Sequence, residues 1–254
     1  MATKRKSPNV VSINDFSDRS KPVQSEKPTN RLKLRIDDLR TFRPLTINQD
    51  KFFKLYNANK EVIGMFGSAG VGKTFLAVYK ALEQVMDKSN PLQKVVIVRS
   101  SVQVRDQGFM PGTIQEKQAI FEKPYREICT TLFNRADAYD RLKEQNVIDF
   151  ITTTDIRGIT IDDAVVIVDE CQSMNMHELT SIMTRPGNRS KVIFCGDIKQ
   201  SDLIKTKHDV SGLPNFVEIL ENMVEYAYVE FTSKDIVRSG IAKSFIIASE
   251  KLGY

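Results

Sequence analysis

Short apolar runs alternate along the chain with longer segments whose apolar residues recur at helical spacing, the pattern of an α/β domain. Val62 to Phe66, Lys94 to Val98, Val147 to Ile151, Val165 to Val168, Lys191 to Cys195 and Tyr226 to Phe231 read as strands. Among them Val165 to Val168 is β-branched throughout, which predicts a central strand buried on both faces. Phe75 to Met86 carries apolar residues at 75, 78, 82, 85 and 86, one face of a helix. Asp137 to Glu144, Met176 to Thr184 and Ile236 to Leu252 are expected to be helical too. So is the segment opened by Pro214, with a stripe of Phe216, Ile219, Leu220 and Met223. Thr113 to Phe133 reads as helix, with a break or restart at Pro124. Thr46 is the expected N-cap of a helix from Gln49 to Tyr56 that buries Phe52, Phe53 and Tyr56. Alternation of Leu32, Leu34 and Ile36 predicts a short strand. Residues 1–30 are polar and read as a disordered arm, leaving 31–254 as one domain.

Chemistry enters between the first of these strands and its helix. Gly67-Ser68-Ala69-Gly70-Val71-Gly72-Lys73-Thr74 matches the pattern G-x-x-x-x-G-K-[ST] at every fixed position. Its glycines allow a tight turn whose amides point inward at phosphate oxygens. Lys73 would reach the β- and γ-phosphates, the Thr74 hydroxyl would ligate Mg²⁺, and the following helix would add its dipole. The flanking strand and helix are the context that separates this motif from an ordinary glycine-rich turn.

A second signal closes the strand Val165 to Val168, where Asp169-Glu170 follows directly. Two acids beside a buried strand are costly unless a cation or a water uses them. Asp169 would hold the Mg²⁺ hydration shell and Glu170 would polarise an attacking water. Gln200, after the strand Lys191 to Cys195, can bond both a γ-phosphate and a water; Gln49, upstream of the glycine loop, can pair with adenine through its two-sided amide.

Composition narrows the picture only a little. The chain has 254 residues, enough for one large α/β domain or two small ones, and no apolar run long enough to span a bilayer. The formal charge of +5 permits attraction to nucleic acid without establishing it. Cys129, Cys171 and Cys195 lack paired spacing and read as reduced thiols of a cytoplasmic protein. Neither His177 nor His208 has a neighbour that would make a zinc site.

Taken together the motifs resemble the PhoH-like ATPases, most closely the single-domain versions carried by bacteriophages. The similarity runs from about Thr41 to the C-terminus. Besides the glycine loop it rests on Pro44-Leu45-Thr46, Asn48-Gln49, Gly108-Phe109-Met110-Pro111-Gly112 and Arg157-Gly158-Ile159-Thr160. Asp169-Glu170-Cys171-Gln172, Thr184-Arg185, Gly196-Asp197 with Gln200, and Asp235-Ile236-Val237-Arg238-Ser239 complete it. The resemblance implies a RecA-like P-loop core, a mostly parallel sheet flanked by helices, related to superfamily 1 helicase motors. It implies binding and hydrolysis of ATP with Mg²⁺, action on RNA or single-stranded DNA, and a hexameric ring. By the same resemblance Gln49 contacts adenine, Asp169 and Glu170 form the Walker B pair, and Gln200 senses the γ-phosphate. Helicases complete the nucleotide site with an arginine from a second core, so here a neighbouring subunit would supply Arg185 or Arg238. Two rival readings are a small-molecule phosphotransferase and a binding module switched by ATP. The lack of a visible arginine-rich lid counts against the first, and an intact Glu170 against the second.

Overall fold

The computed structural model describes residues 10–11, 33–100, 114–198, 211–238 and 240–252. The described elements are β1 (Val10–Val11), β2 (Thr41–Phe42), α1 (Ile47–Asn57), β3 (Val62–Gly67), α2 (Lys73–Val85) and β4 (Lys94–Arg99). They continue with α3 (Ile114–Phe133), α4 (Ala138–Glu144), β5 (Ile148–Thr152), β6 (Ala164–Val168) and α5 (Met176–Met183). The last are β7 (Lys191–Gly196), α6 (Leu213–Glu221), β8 (Tyr226–Phe231) and α7 (Ile241–Leu252). Six strands form one sheet in the order β5-β4-β6-β7-β3-β8, and every neighbouring pair in it is parallel. This is the RecA-like α/β core that the sequence leads one to expect. A separate two-residue parallel pairing joins β1 to β2.

Parallel strands covered on both faces must be apolar at consecutive positions, and the inner strands β3, β4, β6 and β7 are. The odd members Ile63, Met65, Val95, Ile97, Val165, Ile167, Ile193 and Cys195 join one core with residues of α1, α2, α3 and α4. The even members Val62, Phe66, Val96, Val98, Val166, Val168, Val192 and Phe194 join a second core with α5 and α6. The glycine-loop strand β3 and the acid-bearing strand β6 are not adjacent; β7 lies between them. Two inter-strand spacings separate their carboxyl ends by about 10 Å. Gly64 and Val168 both pair with Phe194, so β6 stops level with the middle of β3 and the acids that follow it run alongside the last residues of β3, at the end where an open parallel sheet collects ligands.

Three local expectations are corrected. The stretch Leu32 to Ile36 is not a strand in its described part. Ile36–Asp38 is a 3₁₀ turn, closed when Arg35 N donates to the Asp38 carboxylate at 2.9 Å, and Ile36 is exposed while Leu34 is buried. Alternation there has no sheet face to serve. Pro124 does not break α3, which runs through it. The carbonyl that the ring displaces belongs to Ile120, and both residues are exposed, so solvent is at hand to hydrate it. The last helix begins at Ile241 rather than Ile236. Residues before it are held away from helical geometry. Buried Asp235 accepts from Thr232 N at 2.9 Å and from Asn48 Nδ2 at 2.8 Å, and Val237 N reaches Gly70 O at 3.4 Å.

Candidate nucleotide site

The glycine loop is built by backbone that side chains would obstruct. Gly67, Gly70 and Gly72 have φ values of 115°, 74° and 86°, the region that glycine alone enters freely. A Cβ on Gly67 would lie 1.9 Å from the Phe231 carbonyl oxygen of β8, which also accepts from Ser68 N at 3.2 Å. A Cβ on Gly72 would meet nothing within 4 Å, so there the positive φ and not a close neighbour asks for glycine. Gly72 caps α2, whose first N–H groups have no partner within the helix and face the turn. Val71 is fully buried and anchors the loop in the main core.

Lys73, at the start of α2, folds over the loop. Its Nζ donates to Gly67 O at 2.6 Å and Ser68 O at 2.8 Å. Burial pushes its ammonium below the ordinary lysine range, opposed by Asp197 first and then by Glu170 and Asp169 among the carboxylates. A triphosphate would supply the missing counter-charge. One residue on, Thr74 Oγ1 donates to Asp169 Oδ1 at 2.8 Å. The hydroxyl of α2 and the carboxylate beyond β6 therefore meet across the gap that β7 leaves. This pair of hard oxygen donors at a phosphate cradle fits Mg²⁺, which prefers few protein ligands alongside phosphates and water.

Glu170 occupies the left-handed region at φ 52°, unusual for a residue with a side chain. Such strain persists only where surrounding contacts hold it. Here Gln172 Nε2 donates to Glu170 Oε2 at 2.6 Å, while Gln172 Oε1 accepts from Asp197 N at 3.1 Å. The amide links the acid to the end of β7. Its position within the acidic motif was visible in the sequence; its bridging role was not. On the other carboxylate, the hydroxyl of Tyr125 from α3 donates to Asp169 Oδ2 at 2.8 Å. No sequence signal pointed to Tyr125.

Gln49 sits against the glycine loop. It is fully buried, its Nε2 donates to Val71 O at 3.1 Å, and its Oε1 accepts from Leu45 N at 2.8 Å. In this conformation the amide braces the glycine loop with one of its two N–H donors and one acceptor position of its oxygen. Arg238 lies on its own chain's loop: its Cδ and Nε would stand 3.1 and 3.4 Å from a Cβ on Gly70. The C-terminal helix follows it there, with Ile246 beside Gly70 and the Ser68 hydroxyl donating to Glu250. Arg185 sits elsewhere. It donates from Nε to Ser181 O at 3.2 Å, and its carbonyl accepts from Ile161 N, just before β6 begins. That is the end of the sheet opposite Asp169. Gln200 and the loop Gly108 to Gly112 lie outside the described residues.

The match to a family model described as PhoH-like protein covers residues 41–250. The chain belongs to the PhoH-like family. A PhoH-like protein of Mycobacterium tuberculosis is 32% identical over 227 residues, covering 88% of this chain and 63% of the relative. One from Bacillus subtilis is 32% identical over 213 residues, 84% of this chain and 65% of the relative. Protein PhoH of Escherichia coli K12 is 32% identical over 187 residues, 73% and 52% of the two chains. This PhoH-like chain thus spans between about half and two thirds of these bacterial relatives. Among solved structures, the Pif1 helicase from Candida albicans shows a TM-score of 0.36 at 13% identity, over 75% of this chain and 40% of that one. The family match begins at β2 and takes in the glycine loop, the acids and most of α7. Among the described residues no helix is long and apolar enough to cross a membrane.

Proposed function

We propose that this PhoH-like P-loop protein binds ATP with Mg²⁺ and hydrolyses it, coupling hydrolysis to action on RNA or single-stranded DNA. The observation that carries the reading is the meeting of Thr74 and Asp169 at 2.8 Å beside Lys73 and its glycine loop. Bound Mg²⁺ would draw charge from the β- and γ-phosphates. The chain's own residues do the rest. Loop amides and Lys73 hold the phosphates, Thr74 and Asp169 orient the ion, and Glu170, held by Gln172, orients water on the γ side. Gln200 would report the γ-phosphate from beyond β7.

A phosphotransferase would need a site for an acceptor in place of that water, and the neighbouring Glu170 favours water. The placement of the two arginines supports a division of labour within a head-to-tail ring, hexameric as the resemblance implies. Arg238, already on its own loop, would act on the nucleotide of its own chain. Arg185, at the far end of the sheet, could reach only a neighbour's nucleotide. The resemblance carried by motif order and spacing favours the single-domain, phage-carried type, and cysteines without paired spacing favour a cytoplasmic site of action, with residues 31–254 as the working domain.

Phosphate release measured with and without single-stranded RNA and DNA tests the function. Stimulation by either supports it; transfer of phosphate to a metabolite, or ATP binding without turnover, rejects it. Glu170→Gln should retain ATP binding and lose at least about a hundredfold in turnover. Turnover at the wild-type rate in that variant removes Glu170 from its role. Sedimentation with a non-hydrolysable ATP analogue tests the ring, which a strict monomer rejects.

A further inference from the structure

We propose that Tyr125 is a positioning residue for metal-dependent nucleotide binding, fixing the Asp169 carboxylate through its hydroxyl. The inference rests on the function proposed above and deepens it at one residue.

Asp169 is 5% exposed, and a carboxylate so poorly hydrated must find donors inside the protein. It has two among the described side chains, one for each oxygen: Thr74 from α2 on Oδ1 and Tyr125 from α3 on Oδ2. Donors arriving from two different helices fix the rotation of the carboxylate about its last bond, which one donor would leave free. A carboxylate offers about four lone-pair directions. These two bonds use two and leave the others for the ion's water shell.

The two donors are not equivalent. Thr74 is also the hydroxyl that would ligate the ion, so its geometry answers to the nucleotide. Tyr125 answers only to the fold. Its ring is fully buried, lies 5.8 Å from the Phe150 ring of β5 and packs in the main core. A phenol hydroxyl donates through its single O–H, and here that donor is aimed at Asp169 Oδ2. A phenylalanine would keep the ring contacts and delete only the bond to Asp169. α3 therefore reaches past its own packing role to aim a group at the end of β6.

The test is Tyr125→Phe, with binding of a ribose-labelled fluorescent ATP read in Mg²⁺ and again in EDTA. Wild type should bind more tightly in Mg²⁺. The variant should keep the EDTA affinity and lose roughly tenfold of the Mg²⁺-dependent gain, the scale of one hydrogen bond to a charged group. Its Mg²⁺ midpoint for phosphate release should rise by a similar factor, while the KM for ATP at saturating Mg²⁺ changes little. Mg²⁺ titrations that overlay those of wild type overturn the proposal. So does an equal loss in EDTA and in Mg²⁺, which would make Tyr125 a prop for the fold. Wild type binding no tighter in Mg²⁺ would instead overturn the ATPase reading on which this rests.

Discussion

Lys73→Met separates the phosphate-binding role of the loop from its contribution to the fold. In the structure the ammonium bonds two carbonyls of its own loop, Gly67 O and Ser68 O, at 2.6 and 2.8 Å. Removing it forfeits those bonds and relieves a charge held in a buried setting. The two effects oppose each other, and methionine replaces the aliphatic stem, so the nucleotide-free variant should unfold within a few degrees of wild type. Binding is another matter. Two charge-assisted bonds to phosphate oxygens contribute about 3 kcal/mol, or roughly a hundredfold in Kd. With ATP at about 100 times the wild-type Kd, ligand linkage stabilises wild type by about 2.7 kcal/mol and the variant by only about 0.4 kcal/mol. For a chain of this size those values correspond to shifts in Tm of about 5–10 °C and about 1 °C. Thermal unfolding with and without Mg²⁺–ATP reads both numbers in one experiment. An ATP-induced shift as large as wild type's would show that Lys73 does not hold the phosphates. A collapse of the nucleotide-free Tm would show that its loop contacts matter more than its charge.

Two further substitutions probe the surroundings of the loop and of the sheet. Glu250 receives the Ser68 hydroxyl at the rim of the phosphate cradle; Glu250→Gln removes a negative charge there and should tighten ATP binding about threefold at low salt, the gain shrinking as salt is raised, and an unchanged Kd would refute it. Lys191 is buried at the far end of β7, donates to Tyr56 O at 3.0 Å, and has its pKa lowered to about 8 by burial and by the nearby Lys80 charge. A lysine whose folded pKa lies below its unfolded value destabilises the protein fully below pH 8, and this penalty fades as pH rises toward 10.5. The penalty is worth about 3 kcal/mol, part of which the lost bond to Tyr56 O offsets. Lys191→Met should thus be more stable than wild type near neutrality by about 1–2 kcal/mol, and urea unfolding should find the difference shrinking between pH 8 and 10.5. A difference independent of pH would mean that the ammonium is not strained by its burial.

Elements whose own residues specify them were legible in advance. The four inner strands carry apolar residues at successive positions because both faces are covered, the edge strands β5 and β8 alternate, and both patterns are local. The glycine loop was legible for the same reason: its fixed residues are consecutive, and their positive φ values follow from the glycines themselves. Where a segment answers to something distant, local reading failed. Alternation at Leu34 and Ile36 met no sheet. Pro124 sat on a solvent face that could absorb its missing bond. The run from Asp235 to Arg238 is drawn out of the following helix by Asn48 and Gly70, the first of them 187 residues away.

The same distinction divides the site. Groups that would touch nucleotide or ion lie just beyond the carboxyl ends of β3 and β6, in the glycine loop, the first turn of α2 and the two acids, where spacing along the chain reveals them. The groups that hold them come from other elements. Tyr125 reaches Asp169 across 44 positions, and Gln172 ties Glu170 to Asp197, 25 positions beyond the amide. Gln49 carries this furthest. Its residue type and place suggested a ligand contact, and its buried amide also bonds Val71 O and Leu45 N. A polar residue near a binding motif can therefore serve the ligand or the loop with equal chemical fitness. Burial and partners decide between them, and both depend on how α1 packs against the start of α2.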